Sequence, residues 1–337
     1  MEFLYEYGLF LAKAVTLVAA LGAVLVLIML TTTRHRPERG ELRLTHMSEE
    51  LDALKHHLKE ELLDKAAFKA YEKAQKAEAK ARDKGDVPPK PRTFVVNFHG
   101  SLDAHEVASL REEITAILTV AEKEDEVLLM VESGGGMVHG YGLASSQLDR
   151  LRQAGIPLSV CIDKVAASGG YMMACVAERI YAAPFAIVGS IGVVAQLPNF
   201  NRLLKKHDID YEQHTAGDFK RTLTLFGENT EEGRQKFRQE LEETHELFKA
   251  FVGKYRPELD LTKVATGEHW YGQQALALGL VDEIATSDDL ILKKSADRNL
   301  IKVQYQMRKK LTDKIAHSAS TTVSALINRL VEKDRGL

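Results

Sequence analysis

Residues 156–176 read IPLSVCIDKVAASGGYMMACV, and three textures follow one another inside them. Ile156 to Ile162 is short and almost continuously apolar, which predicts a strand buried on both faces. Lys164-Val165-Ala166-Ala167-Ser168-Gly169-Gly170 is a turn of mostly small residues, and an apolar helix is expected from Tyr171 onward. The same unit of strand, glycine turn and helix stands just upstream. Val127 to Val131 predicts a strand, Glu132-Ser133-Gly134-Gly135-Gly136 a turn, and Met137 to Gln153 a helix. Before these, Phe94 to Phe98 reads as a strand and residues 104–124 as a helix. Strands alternating with helices in this way predict an α/β domain around a buried, parallel-type sheet. Open sheets of that class bind ligands where strands give way to helices, so both glycine turns are candidate site elements.

Composition bounds the function. The chain has 337 residues, 45% hydrophobic and 28% charged, with only 8 prolines, which excludes disordered and collagen-like classes. Lys and Arg number 45 against 48 Asp and Glu, a net charge of -3. That balance lacks the basic excess of a nucleic-acid binder, so no nucleic-acid partner is expected. Cys161 and Cys175 are too few for a disulfide scaffold and read as small buried apolar residues. No metal and no cofactor are expected.

The N-terminus departs from this average. Residues 8–30 carry one charge, Lys13, and at about 1.5 Å per residue span roughly 34 Å, enough to cross a hydrocarbon core. Glu2 and Glu6 make the start acidic, and no small-x-small site precedes Thr31, so the segment reads as a retained transmembrane anchor and not a cleaved signal peptide. Arg34, Arg36, Arg39 and Arg43 follow at once, which favours a cytoplasmic position for the bulk of the chain.

Four regions result: 1–30 with the anchor, 31–92 as a charged juxtamembrane helix and linker, 93–300 as the catalytic domain, and 301–337 as an amphipathic end. Residues 48–84 predict a helix capped by Ser48, with Leu51, Leu54, Leu58 and Leu62 on one face, either a solvated spacer or a self-association surface. Val87 to Pro91 marks the boundary after it. Ile187 to Ala195 is too short for a second span and reads as core. Residues 228–256 predict a long charged helix, and 306–335 a helix carrying Val323, Leu326, Ile327 and Leu330.

Ser168, flanked by small residues before a helix, would expose its hydroxyl beside free backbone N–H groups that can hold an oxyanion. Capping and close packing explain such a turn equally well. A serine nucleophile also needs a base, and none of the twelve histidines lies between Ser168 and Lys206. His139 is one option; a lysine kept neutral by burial is another, and Lys220 is one lysine among many.

Specific motifs go further. Val165-Ala166-Ala167-Ser168-Gly169-Gly170-Tyr171, Val188-Gly189-Ser190-Ile191-Gly192-Val193, Thr215-Ala216-Gly217-Asp218-Phe219-Lys220 and Glu132-Ser133-Gly134-Gly135-Gly136 together resemble the signal peptide peptidase A family of membrane serine proteases. Thr266-Gly267-Glu268-His269-Trp270 and Gly279-Leu280-Val281-Asp282 resemble its later signatures, and the likeness covers nearly the whole chain. The resemblance implies Ser168 as nucleophile, Lys220 as general base, Ser190 as the residue orienting the lysine amine, and Gly135, Gly136 and Gly169 as the oxyanion hole. It also implies a crotonase-like, Clp-protease-related fold and a homo-oligomeric ring, with an octamer as the working number. Substrates would be apolar peptides such as signal peptides or membrane-protein remnants, cut at a bacterial inner membrane crossed once. One position departs: Gly134 stands where the family has proline, which lowers the rigidity of the turn. The resemblance also sets the catalytic domain on the outer face of the membrane, against the arginine flank. Two alternatives remain: a crotonase-like acyl-CoA enzyme and a catalytically silent membrane scaffold.

Overall fold

The computed structural model describes residues 5–11, 13, 15–18, 20, 40–84 and 88–307. It divides into two units, residues 1–41 with 307–337, and Leu42–Gln306. In the first, the described residues between 5 and 20 are helical. Among the described residues no helix is long and apolar enough to cross a membrane. Much of the expected span, including all of 21–30, lies outside them, as does the expected helix over 306–335 from residue 308 onward.

The second unit is built on a seven-stranded sheet. Its strands run, in spatial order, β1 (Glu41–His46), β10 (Asn299–Gln306), β2 (Arg92–His99), β3 (Glu126–Glu132), β4 (Leu158–Ile162), β6 (Arg179–Ala182) and β9 (Glu283–Ile284). Every pair from β10 to β9 is parallel. The apolar strands read from the sequence are the central ones, and the reason is burial on both faces: Phe94, Val96 and Phe98 join the main core, while Leu128 and Cys161 pack with Leu290 in a smaller cluster. Helices Val107–Val120 and Val138–Gln153 contribute Leu110, Ile114, Ile117, Leu148 and Leu151 to that core. Both cysteines are free and buried, and burial pushes both thiols up, leaving them inert packing groups.

A second, three-stranded sheet carries β5 (Val165–Ala167), β7 (Ile187–Gly189) and β8 (His269–Tyr271) in that order. β5 and β7 are parallel, β7 and β8 antiparallel. The two sheets meet where Ser133, just past β3, bridges Ala166 of β5. The two glycine turns are thereby brought together.

Two boundaries differ from expectation. The helix expected over 48–84 is two helices, Met47–Leu62 and Lys65–Asp83, because Asp64 caps the second by accepting from the N–H groups of Ala66 and Ala67 at 2.9 and 2.8 Å. Ser48 caps nothing; its hydroxyl accepts from Leu300 N–H at 2.9 Å, tying this helix to β10. The apolar stretch 187–195 supplies only three strand residues, since Gly189 and Ser190 both take positive φ (99° and 51°) and end the ladder.

Candidate active site

β5 ends at Ala167 and β7 at Gly189, and the two residues face each other in register. Ser168 and Ser190, the next residues of each chain, leave the sheet side by side, and Ser168 N–H donates to the Gly189 carbonyl at 2.8 Å. Ser168 has φ 52° and ψ -117° and opens the short helix Gly169–Ala174. Non-glycine residues rarely adopt positive φ, and Ser190 also has it, at 51°.

Ser190 is held from the other side by the segment that follows β7 in space. Its N–H donates to Glu268 O at 2.7 Å, its hydroxyl lies 3.4 Å from Gly267 O, and Gly267 N–H donates to Ile191 O at 3.1 Å. The Thr266–Trp270 motif therefore frames Ser190 directly. Gly279–Asp282 acts further back: Leu280 O accepts from the buried Tyr171 hydroxyl at 2.9 Å, and Asp282 pairs with Arg256 through both carboxylate oxygens at 2.8 and 2.9 Å.

The first glycine turn presses against Ser168. Gly135 has φ +88°, and a Cβ built on it would lie 2.7 Å from both Ser168 Cβ and Gly169 N. Only glycine permits that approach. The turn is fixed by a relay of hydrogen bonds: Gly135 N–H donates to Ser133 Oγ at 3.1 Å, Ser133 Oγ lies 2.5 Å from Tyr141 Oη, and Tyr141 O–H donates to Ser101 O at 2.7 Å. Tyr141 is fully buried, and its ring covers the face of Gly169 where a side chain would otherwise sit.

The three turn amides differ in their partners. Of the three amides, that of Gly135 is engaged with Ser133, while those of Gly136 and Gly169 have no partner among the described residues. Gly169 follows Ser168 directly, and Gly136 lines the same cleft. Gly134 is exposed with open space around its Cα, so nothing nearby restricts which residue stands there.

These residues line one cleft of about 1080 Å³. Ser168, Ser190, Gly135, Gly136 and Gly169 form its polar part, and Leu102, Met172, Val193, Leu247, Phe248 and Phe251 its apolar wall. The long helix Glu231–Tyr255 also brings Thr244 and His245 to it, two residues that sequence reasoning did not single out. No cluster of His, Cys, Asp or Glu among the described residues is arranged to hold a metal ion.

Lys220 stands apart. It is exposed, does not line the cleft, and makes no side-chain hydrogen bond or ion pair among the described residues. Its loop is tied instead to the 199–201 segment, where Asn199 donates to Thr224 O and Gly227 O and Asn201 donates to Phe226 O, at 2.8–3.0 Å. His139 is likewise exposed and outside the cleft.

Family models match in two consecutive parts, the N-terminal model of peptidase family S49 over residues 2–148 and the peptidase family S49 model over 150–301. A probable protease SohB of Haemophilus influenzae is 51% identical over 98% of this chain and 97% of its own length. A second probable protease SohB, from Buchnera aphidicola subsp. Acyrthosiphon pisum, is 48% identical over 98% of both chains. Among solved structures, a mutant membrane-bound stomatin-specific protease in complex with a substrate peptide aligns with TM-score 0.42 at 13% identity, over 69% of this chain and 99% of that one.

Proposed function

This chain belongs to peptidase family S49, and on that footing we propose that it is a membrane-anchored serine endopeptidase using a Ser168/Lys220 dyad. The observation that carries the reading is the convergence of Ser168, Ser190 and two unpartnered glycine amides on one largely apolar cleft. Ser168 Oγ attacks a peptide carbonyl while the Lys220 amine takes its proton. The amides of Gly136 and Gly169 hold the oxyanion, the amine returns the proton to the leaving nitrogen, and water releases the acyl group from Ser168. Ser190 orients the lysine. The apolar wall suits apolar peptides such as signal peptides or membrane-protein remnants.

The dyad requires Lys220 to reach a cleft that its loop does not enter in the isolated chain. Closure of the 208–229 loop or supply of that loop by a second copy would each bring it there, in keeping with a homo-oligomeric ring. The crotonase-like ancestry, the octameric number, the single span through 8–30 and an inner-membrane location belong to the same reading.

The test is hydrolysis of casein and an apolar peptide by the detergent-solubilised full chain, beside Ser168→Ala and Lys220→Ala. Loss of at least ~10³-fold in both variants, with assembly intact, is the expected result. Full activity in Lys220→Ala reassigns the base. Turnover of a CoA thioester without fluorophosphonate labelling of Ser168 favours the acyl-CoA alternative, and an inert wild type favours the scaffold.

A further inference from the structure

We propose that Tyr141 is a positioning residue whose hydroxyl, by tying Ser133 to the loop 100–106, fixes the Gly134–Gly136 turn against Ser168. The inference rests on the peptidase reading of that cleft, and Tyr141 itself touches no peptide. Tyr141 belongs to the Val138–Gln153 helix and is fully buried. A phenol in the core needs hydrogen-bond partners that an apolar side chain would not, and this one has two. Its single proton goes to Ser101 O at 2.7 Å, and burial raises its pKa, which keeps that proton on the oxygen. At the 2.5 Å contact Ser133 Oγ is therefore the donor and Tyr141 Oη the acceptor. Ser133 Oγ in turn accepts from Gly135 N–H at 3.1 Å. The relay runs one way, from Gly135 outward to Ser101, and in a buried setting each bond polarises the next.

The outer end of the relay is anchored. Ser101 N–H donates to Glu106 Oε2 at 3.1 Å, and the Ser101 hydroxyl lies 2.7–2.9 Å from Asp103, His105 and Glu106. The same loop grips the far side of the turn, where Leu102 O accepts from Met137 N–H at 2.8 Å. Gly136 thus lies between two held neighbours, Gly135 and Met137, and a Cβ on it would strike the Leu102 carbonyl. The Tyr141 ring, meanwhile, covers Gly169, the residue after Ser168. One side chain therefore borders both glycine segments of the cleft. Donors fixed in advance act on the charge that develops in the transition state, so loosening this frame lowers kcat and leaves peptide binding largely alone.

The experiment uses the full-length, detergent-solubilised chain and an apolar Leu/Ala peptide. Wild type, Tyr141→Phe, Ser133→Ala and the double variant are compared by kcat, KM and melting temperature. Amide hydrogen exchange of the 134–137 segment is followed by mass spectrometry. Phenylalanine keeps the ring over Gly169 and removes only the hydroxyl. Tyr141→Phe is expected to lower kcat about 10- to 100-fold with KM within about twofold. Exchange in 134–137 should quicken about tenfold, the worth of one net hydrogen bond. Ser133→Ala should do the same, and because both act on one relay the double variant loses little more than either single one. A wild-type kcat in Tyr141→Phe together with a lowered melting temperature makes the tyrosine a packing element and overturns the proposal. So do losses that multiply in the double variant, or a raised KM at unchanged kcat. If Tyr141→Phe does not fold, Ser133→Ala carries the same test from the other end of the relay. An inert wild type counts against the peptidase reading, and the exchange arm then decides the role of Tyr141, with unchanged exchange in 134–137 overturning it.

Discussion

Ser168 and Ser190 stand one residue beyond a register pair, Ala167 and Gly189, and both have positive φ, 52° and 51°. A positive φ in a sparsely populated region costs an L-residue of order 1–3 kcal/mol, and glycine escapes most of that cost. At Ser190 the hydroxyl and the backbone can thus be separated. Ser190→Ala keeps the strain and loses the hydroxyl; Ser190→Gly loses both. Both variants are expected to lose activity to a similar degree, about 10- to 100-fold, while Ser190→Gly melts at or above Ser190→Ala. Thermal melts beside peptidase assays check this, and a Ser190→Gly variant of wild-type activity removes Ser190 from the chemistry.

Gly135 and Gly134 are adjacent and predicted to behave oppositely. A methyl at Gly135 meets Ser168 Cβ and the Gly169 backbone at 2.7 Å, on a backbone of φ +88°. Gly135→Ala should cost about 10²-fold or more in kcat by displacing Ser168 and the Gly169 amide. Gly134 has open space around it, so Gly134→Ala should keep full activity and gain a few tenths of a kcal/mol, up to about 1, from the stiffer unfolded chain. Equal losses in the two variants would show that turn flexibility, not close approach to Ser168, governs the site.

The central strands and both glycine turns were legible because each is written in a local run of residues. β-Branched apolar segments bounded by glycine describe themselves. The pairing of β5 with β7 is not written locally, so the neighbourhood of Ser168 and Ser190 came from motif resemblance and not from spacing. The break at Asp64 was readable in principle, since an aspartate two and three residues before Ala66 and Ala67 is an N-cap signal that the helical Glu, Lys and Ala around it conceal. His245 also left a trace, a polar residue on an apolar stripe. What no sequence pattern held is the relay from Gly135 through Ser133 and Tyr141 to Ser101, because its members come from three separate segments.

Arg256 and Asp282 lock the end of the long helix to the strand edge. Asp282 accepts from Arg256 and from Ile180 N–H at 2.7 Å, and Arg256 also donates to Gly279 O at 2.8 Å. With side chains only 14% and 25% exposed, removing one partner strands the other. Asp282→Ala is expected to cost about 3 kcal/mol and lower the melting temperature by roughly 6–12 °C. The double variant Arg256→Met with Asp282→Leu should recover part of this, and a double-mutant cycle by thermal denaturation measures the coupling.

Glu113 makes stability fall as pH rises. It sits on the core side of the Val107–Val120 helix at 5% exposure, and its carboxyl accepts from Tyr305 N–H of β10 at 2.7 Å. Burial pushes its pKa up from 4.5 to about 7, against the smaller downward pull of the Tyr305 N–H. The folded chain therefore holds a proton that the unfolded chain releases near 4.5. The stabilisation this gives is complete below that pH and is lost as pH rises through about 7. At 1.36 kcal/mol per pKa unit the full effect is about 3 kcal/mol. Glu113→Gln keeps an acceptor for Tyr305 and cannot ionise. Melting temperatures taken from pH 5 to 8.5 should decline for wild type and stay comparatively flat for Glu113→Gln. If the two proteins show the same slope, the pH dependence comes from another group. If Glu113→Gln is instead destabilised equally at every pH, the carboxyl is ionised in the folded chain, and the hydrogen bond to β10 is charge-assisted.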